Sequence, residues 1–394
     1  MENERQINQQ VTKIAVSGIR QFDEAVSKIP DILKLTLGEP DFNTPAHIKQ
    51  AAIQAINDNY SHYTGMAGLL ELRQAASTYF EKLYGLKYAA EDEILVTVGA
   101  TEAIATAITT VTNPGDAVLV PTPIFPAYLP LITLNHAQPI FIDTSKNGFV
   151  LTPEMIKAAI ASHPDAHITA IILNYPSNPT GVTYDQNEIT AMAKVLKTAN
   201  LWVISDEIYS SLTFDHDHFS IANILRDQTI LINGLSKSHA MTGWRIGFLL
   251  APRVITDQLK KVHQYYVTAA TTISQKAAVE ALTNGYEDTQ TMKAEYIKRR
   301  NYCLAEIKKL GYEVARPDGA FYLFIKLPNW FKGSAQEFTY QLAQESKLAL
   351  ISGEGFGPGG ERYFRLSYAA SLADLKKAMT RLGEFTQNHA TSKL

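Results

Sequence analysis

The chain has 394 residues, 46% of them hydrophobic and 19% charged, which excludes a disordered or low-complexity protein. With 36 basic against 39 acidic side chains the net charge is -3, so there is no general electrostatic pull toward nucleic acid or an anionic membrane. The single cysteine, Cys303, excludes an internal disulfide and a multi-cysteine metal site, and no run of 18 apolar residues is present. A cytoplasmic protein with a small-molecule partner, no nucleic acid and no membrane, is the expectation.

Taken in chain order, residues 1–43 read as an arm that joins a second, smaller domain. In FNTPAHIKQAAIQAIND, Thr44 can cap a helix with Pro45 in its first turn. From 44 to 284 short apolar runs alternate with helical patterns. EILVTVG, AVLVPT, PIFID, ITAIILNYP, LWVISDE, TILINGL and RIGFLLA read as strands buried on both faces. Between them, LLELRQAASTYFEKLYG, the segment after Gly99, TPEMIKAAIASH and DQNEITAMAKVLKTA read as helices. That alternation predicts an α/β fold, with a mostly parallel seven-stranded sheet and helices on both faces. From 285 to 394 the pattern becomes a long helix, the strand GAFYLFIKL, and then helix, strand and helix: a smaller α+β domain. Ligand groups should gather at the carboxyl ends of the parallel strands and in the cleft between the domains.

Most of the candidate chemistry follows predicted strands. Gly99, Ala100 and Thr101 open a helix after EILVTV, either as a tight turn or as an anion cradle of backbone N–H groups. Asn178, in ILNYPSNPTG, is either turn chemistry or an amide offered to a ligand. Asp206 ends the apolar strand LWVISD, with Tyr209 three residues on; a carboxylate there is costly unless a cation meets it, and it reads either as a salt bridge or cap for the next segment or as the partner of a cationic ligand group. Lys237 sits between two serines in NGLSKSHAMTGWRIGF, where partial desolvation would make it a nucleophilic amine able to form an imine. A phosphate-binding P-loop is excluded, because Ser236 stands where its glycine must precede the lysine. Arg365, in ERYFRLSYAAS after the rim GEGFGPGG, is suited to a structural carboxylate or to a substrate one.

The order YTG, GATEA, NPTG, DEIY, SKSHAMTGWR, FRLS resembles the fold-type I, class I pyridoxal-phosphate aminotransferases, whose large and small domains match the predicted α/β organisation. Wording such as IRQFDEAV, PDILKLTLGEPDF and SHYTGMAGLLELRQAA looks like bacterial aromatic amino acid aminotransferases. The resemblance implies pyridoxal 5'-phosphate as cofactor. Lys237 would hold its aldehyde and then carry protons; Asp206 would meet its ring nitrogen; Tyr209 and Asn178 would bond its ring oxygen; Phe125 would stack on the ring. Arg245, Ser236 and the backbone of Gly99, Ala100 and Thr101 would hold its phosphate. Tyr63 would reach the phosphate of a neighbouring subunit, making the active unit a homodimer. Arg365, helped by Asn178 and the backbone of Gly38, would bind the substrate carboxylate. The implied reaction is ping-pong transamination between an aromatic L-amino acid and a 2-oxo acid such as 2-oxoglutarate.

Gly234 departs from the pattern, since some members carry serine there, and Ser236 or Ser238 would then supply the hydroxyl on that side. Aminotransfer from aspartate or N-acetyl-diaminopimelate is the nearest alternative, followed by a pyridoxal-phosphate C–S lyase. A dicarboxylic donor needs a second cationic anchor, which the motifs do not identify. A non-catalytic effector-sensing domain would be preceded by a basic DNA-binding module, and the 37 residues ahead of Gly38 are not basic.

Overall fold

The computed structural model describes residues 7–390. Strand β1 (Leu33–Lys34) lies in the N-terminal arm, followed by β2 (Ile94–Thr97), β3 (Ala117–Thr122), β4 (Gln138–Asp143), β5 (Ile168–Asn174), β6 (Trp202–Asp206), β7 (Thr229–Gly234) and β8 (Gly247–Leu250). Strands β2 to β8 are the seven apolar runs, and they form one sheet in the order β2-β8-β7-β6-β5-β3-β4. All neighbours are parallel except β8, which runs antiparallel to both β2 and β7.

Burial explains why these strands read as continuous rather than alternating apolar runs. In β5, Ile171 and Leu173 pack under the helix Gln186–Ala199 through Ile189 and Met192, while Ala170 and Ile172 face Ile104 and Ala107 of the helix Gly99–Val111. Both faces are therefore covered, and no position gains by being polar. The helix Gln186–Ala199 begins with a capping box, Asp185 and Glu188 each bonding the other's backbone N–H.

After the 24-residue helix Tyr286–Lys309 come β9 (Tyr322–Lys326), β10 (Leu348–Ala349), β11 (Ile351–Ser352) and β12 (Tyr363–Ser367). The last two and β9 form an antiparallel sheet in the order β11-β12-β9, and β1 pairs in parallel with β10. The arm helix Gly18–Val26 buries Phe22 and Val26 against Phe324, Ile351 and Phe356.

One local expectation is corrected. Thr44 is not a helix cap: the helix Ala46–Asn57 has Pro45 in the capping position, ahead of its first turn. The Thr44 hydroxyl instead donates to the Ala240 carbonyl at 2.7 Å and accepts from Trp244 Nε1 at 3.0 Å, so it ties the helix entrance to the loop after Lys237.

Candidate active site

Strands β2, β3, β5, β6 and β7 all end on one edge of the sheet. Because β8 is antiparallel, it begins there, and this brings Arg245, two residues before β8, to the same edge. A cavity of about 1100 Å³ opens over that edge and is closed on its other side by the arm and by β9 and β12. Of the residues picked out in the sequence, Gly38, Ala100, Thr101, Phe125, Asn178, Asp206, Tyr209, Ser236, Lys237, Arg245 and Arg365 all line it.

Asp206 is 3% exposed at the tip of β6. Its Oδ2 accepts the Tyr128 hydroxyl at 2.6 Å and its Oδ1 the Ile208 backbone N–H at 3.1 Å. Desolvation pushes its carboxyl up to about 6 despite those bonds and the charge of Lys237. Lys237 donates from Nζ to the Gly38 carbonyl at 2.6 Å, and burial lowers its amine to about 8, against the raising effect of Glu39. A carboxyl and an amine whose charged forms are both disfavoured by burial thus face one cavity.

Arg365 is 3% exposed on β12. Its Nη1 donates to Asn178 Oδ1 at 2.7 Å and its Nη2 to the Thr36 carbonyl at 2.6 Å, while its buried Nε has no partner. Its guanidinium lies 4.5 Å from the centre of the Tyr322 ring and 5.0 Å from that of Phe356. Among the described residues no carboxylate pairs with it, and desolvation lowers its pKa. A buried guanidinium without a carboxylate is costly unless a ligand supplies the anion. Bonded to Arg365 through Oδ1, Asn178 keeps its Nδ2 as a donor.

The turn after β2 is shaped for an anion. Gly99 has φ +73°, and a Cβ there would lie 2.5 Å from Arg245 Nη2. A Cβ on Gly247 would meet the Gly99 carbonyl carbon at 2.5 Å and the Ala100 nitrogen at 2.7 Å. Two glycines therefore let a guanidinium, a strand and a helix N-terminus converge. Arg245 adopts φ 54°, unusual for a non-glycine residue, with Nη1 on the Thr242 carbonyl at 2.8 Å.

Gly234 and the two serines can now be placed. A Cβ at Gly234 would lie 2.9 Å from the Ile246 carbonyl oxygen, so the strand pairing leaves no room for a serine. Ser238 turns away, its hydroxyl 2.8 Å from His239 Nδ1, and it does not line the cavity, whereas Ser236 does. Tyr63 is 88% exposed and does not line the cavity.

Three contributors went unread in the sequence. Tyr128 bonds Asp206; Tyr322 places its hydroxyl 2.7 Å from that of Tyr209; Asn174 donates to the Asp206 carbonyl at 3.1 Å and accepts the Asn178 N–H at 3.0 Å. The aromatic pair lies in apolar runs and carries no local signal. Asn174 has one, a polar residue at the end of an apolar strand.

The residues present suit pyridoxal 5'-phosphate: an amine for its aldehyde, a buried carboxylate wanting a cation, and a glycine cradle beside Arg245 for its phosphate. Residues 30–382 match the family described as aminotransferase class I and II. The chain is 46% identical over 382 residues to a probable N-acetyl-LL-diaminopimelate aminotransferase of Bacillus subtilis (strain 168), covering 97% of this chain and 96% of that one. Among solved structures it is similar to the aspartate aminotransferase from Thermus thermophilus with maleate (TM-score 0.91, 31% identity, 96% and 99% of the two chains). It is also similar to the aromatic aminotransferase from Pyrococcus horikoshii OT3 (TM-score 0.88, 32% identity, 94% and 99%). The cavity at the strand ends and the extent of these matches lead to one assignment: the chain belongs to the class I and II aminotransferases, pyridoxal-phosphate-dependent enzymes of fold type I.

Proposed function

We propose that the protein carries out ping-pong transamination between a dicarboxylic L-amino acid of the N-acetyl-diaminopimelate kind and a 2-oxo acid such as 2-oxoglutarate. The observation that carries the α-carboxylate half of this reading is Arg365, buried, without a carboxylate partner and with an unsatisfied Nε. It binds the carboxylate on Cα through two parallel hydrogen bonds.

When bound, pyridoxal 5'-phosphate supplies the electron sink that takes up the charge left at Cα. Lys237 Nζ would take the proton from the substrate Cα, a task suited to an amine lowered to about 8. Asp206 keeps a cation beside its buried carboxylate, and Tyr128 holds that carboxylate in place. Asn178 and Tyr209 donate to a ligand oxygen, and Phe125 covers one face of the cavity. Arg245, Ser236 and the N–H groups of Gly99 to Thr101 hold the phosphate.

The reading extends to a homodimer in which Tyr63 serves the neighbouring site. Its support is the exposure of Tyr63, together with Tyr60, Met66, Leu70 and Tyr265, on a protomer whose own cavity none of them lines.

The donor rests on the 46% relative. An aromatic donor is the second reading, favoured by Ile104, Phe125 and Leu129 in the cavity wall and by the wording of the sequence. A single-turnover screen separates them: holoprotein is mixed with N-acetyl-LL-diaminopimelate, aspartate, tyrosine or phenylalanine, and loss of the cofactor's aldehyde-form absorbance is followed. The first donor is expected to react at least tenfold faster than the others. Faster turnover of tyrosine or phenylalanine would reverse the order of the two readings.

A further inference from the structure

Among the described residues, five cationic side chains line the cavity: Lys13, Arg20, Lys237, Arg245 and Arg365. The last three already have roles toward the cofactor and the α-carboxylate. Arg20 and Lys13 lie on the N-terminal arm and have none.

Among the described residues no carboxylate pairs with either of them. Arg20 makes no hydrogen bond or ion pair with any described residue, and Lys13 has only Gln10 Oε1 at 3.3 Å. The acids lining the same cavity are engaged elsewhere. Asp23 Oδ2 accepts Lys34 Nζ at 3.1 Å and its Oδ1 accepts the Thr36 hydroxyl at 2.6 Å; Glu39 accepts the Thr242 hydroxyl at 2.6 Å; Asp206 accepts from Tyr128. An unneutralised guanidinium at the edge of a binding cavity is a ready partner for a carboxylate.

The arm also has a defined place. Arg20 lies on the helix Gly18–Val26, one turn before Asp23. Asp23 is bonded to Thr36, whose carbonyl receives Arg365 Nη2, and Phe22 and Val26 are buried under the same helix. One short chain of contacts therefore ties the helix bearing Arg20 to the arginine that takes the α-carboxylate. Ile14 and Ile19 of the arm and Leu129 opposite supply apolar lining for a methylene chain.

We propose that Arg20, with Lys13 adding to the field, binds the distal carboxylate of a long dicarboxylic amino donor and so determines substrate choice. This rests on the transaminase reading above and names the second cationic anchor which that reading requires.

The test compares N-acetyl-LL-diaminopimelate with N6-acetyl-L-lysine, which has the same chain and acetamide but lacks the distal carboxylate. Wild type, Arg20→Met and Arg20→Lys holoenzymes are assayed for kcat/KM on both donors, with thermal melting to verify folding. Wild type is expected to favour the dicarboxylate. Arg20→Met should cut that preference about ten- to a hundredfold, the worth of a hydrogen bond to a charged group, and Arg20→Lys should restore part of it. If wild type prefers the dicarboxylate and Arg20→Met preserves the ratio, the Arg20 assignment is overturned while the donor reading stands. If wild type shows no preference, the donor reading itself falls, and the proposal with it.

Discussion

Burial pushes the Asp206 carboxyl up to about 6 and the Lys237 amine down to about 8, so without cofactor each is held in an environment that disfavours its charge. For Asp206 the sign follows from linkage. A carboxyl whose folded pKa exceeds its unfolded value contributes stability fully below about 4 and loses it as pH rises through about 6. Cofactor-free Asp206→Asn is therefore expected to be more stable than cofactor-free wild type at pH 8, by about 1 to 3 kcal/mol, and close to it at pH 4. Denaturant melts at the two pH values check this; a variant less stable at pH 8 would contradict the desolvation account. The same variant should transaminate at least about 10²-fold more slowly, because the cation proposed to lie beside Asp206 loses its counter-charge. An acid at the end of an apolar strand, followed directly by Glu207, was legible in the sequence. That Tyr128 would be the group holding it was not, since nothing in PTPIFPAY sets that tyrosine apart.

The antiparallel strand β8 is the element that completes the site. It starts where its neighbours end, so Arg245 at its head meets the turn after β2, and Gly247 lets it approach the backbone of Gly99 and Ala100. Gly247→Ala should force a shift of backbone rather than of a flexible side chain, costing about 1 to 3 kcal/mol of stability. Cofactor affinity should fall with it, because the displaced N–H groups are those proposed to hold the phosphate. Equilibrium unfolding and cofactor titration read the two effects, and an unaltered affinity would separate the cradle from the glycine. All seven strands could be read from their apolar runs because both faces are buried. The direction of β8 could not, since an apolar run has the same composition either way. The helices Tyr128–Leu134 and Thr272–Asn284 also went unread; the first has a single apolar stretch in place of a stripe.

At the scale of the whole molecule, the exposed Tyr63 makes the proposed homodimer testable through catalysis. If it serves the neighbouring site, a hybrid of one Lys237→Ala protomer and one Tyr63→Phe protomer holds one site with both defects and one with neither. Mixing the two inactive or weakened proteins, with cofactor kept below the Kd of the Tyr63→Phe dimer, should then recover up to half of the wild-type activity per hybrid. No recovery would place Tyr63 within its own protomer's site.

The sequence by itself determined the strands, because burial on both faces leaves a local mark; the cofactor followed from a resemblance carried by the order of motifs along the chain, and Lys237 stood out as one amine between serines. Only the tertiary structure decided which charges remain unpaired. Arg365 looked equally suited to a structural carboxylate until folding surrounded it with Asn178, Thr36 and two aromatic rings and, among the described residues, no paired acid. Arg20, 345 residues earlier in the chain, drew no notice in the sequence until the arm folded across the same cavity. Electrostatic pairing depends on distance in space, and residues this far apart in sequence meet only through the fold.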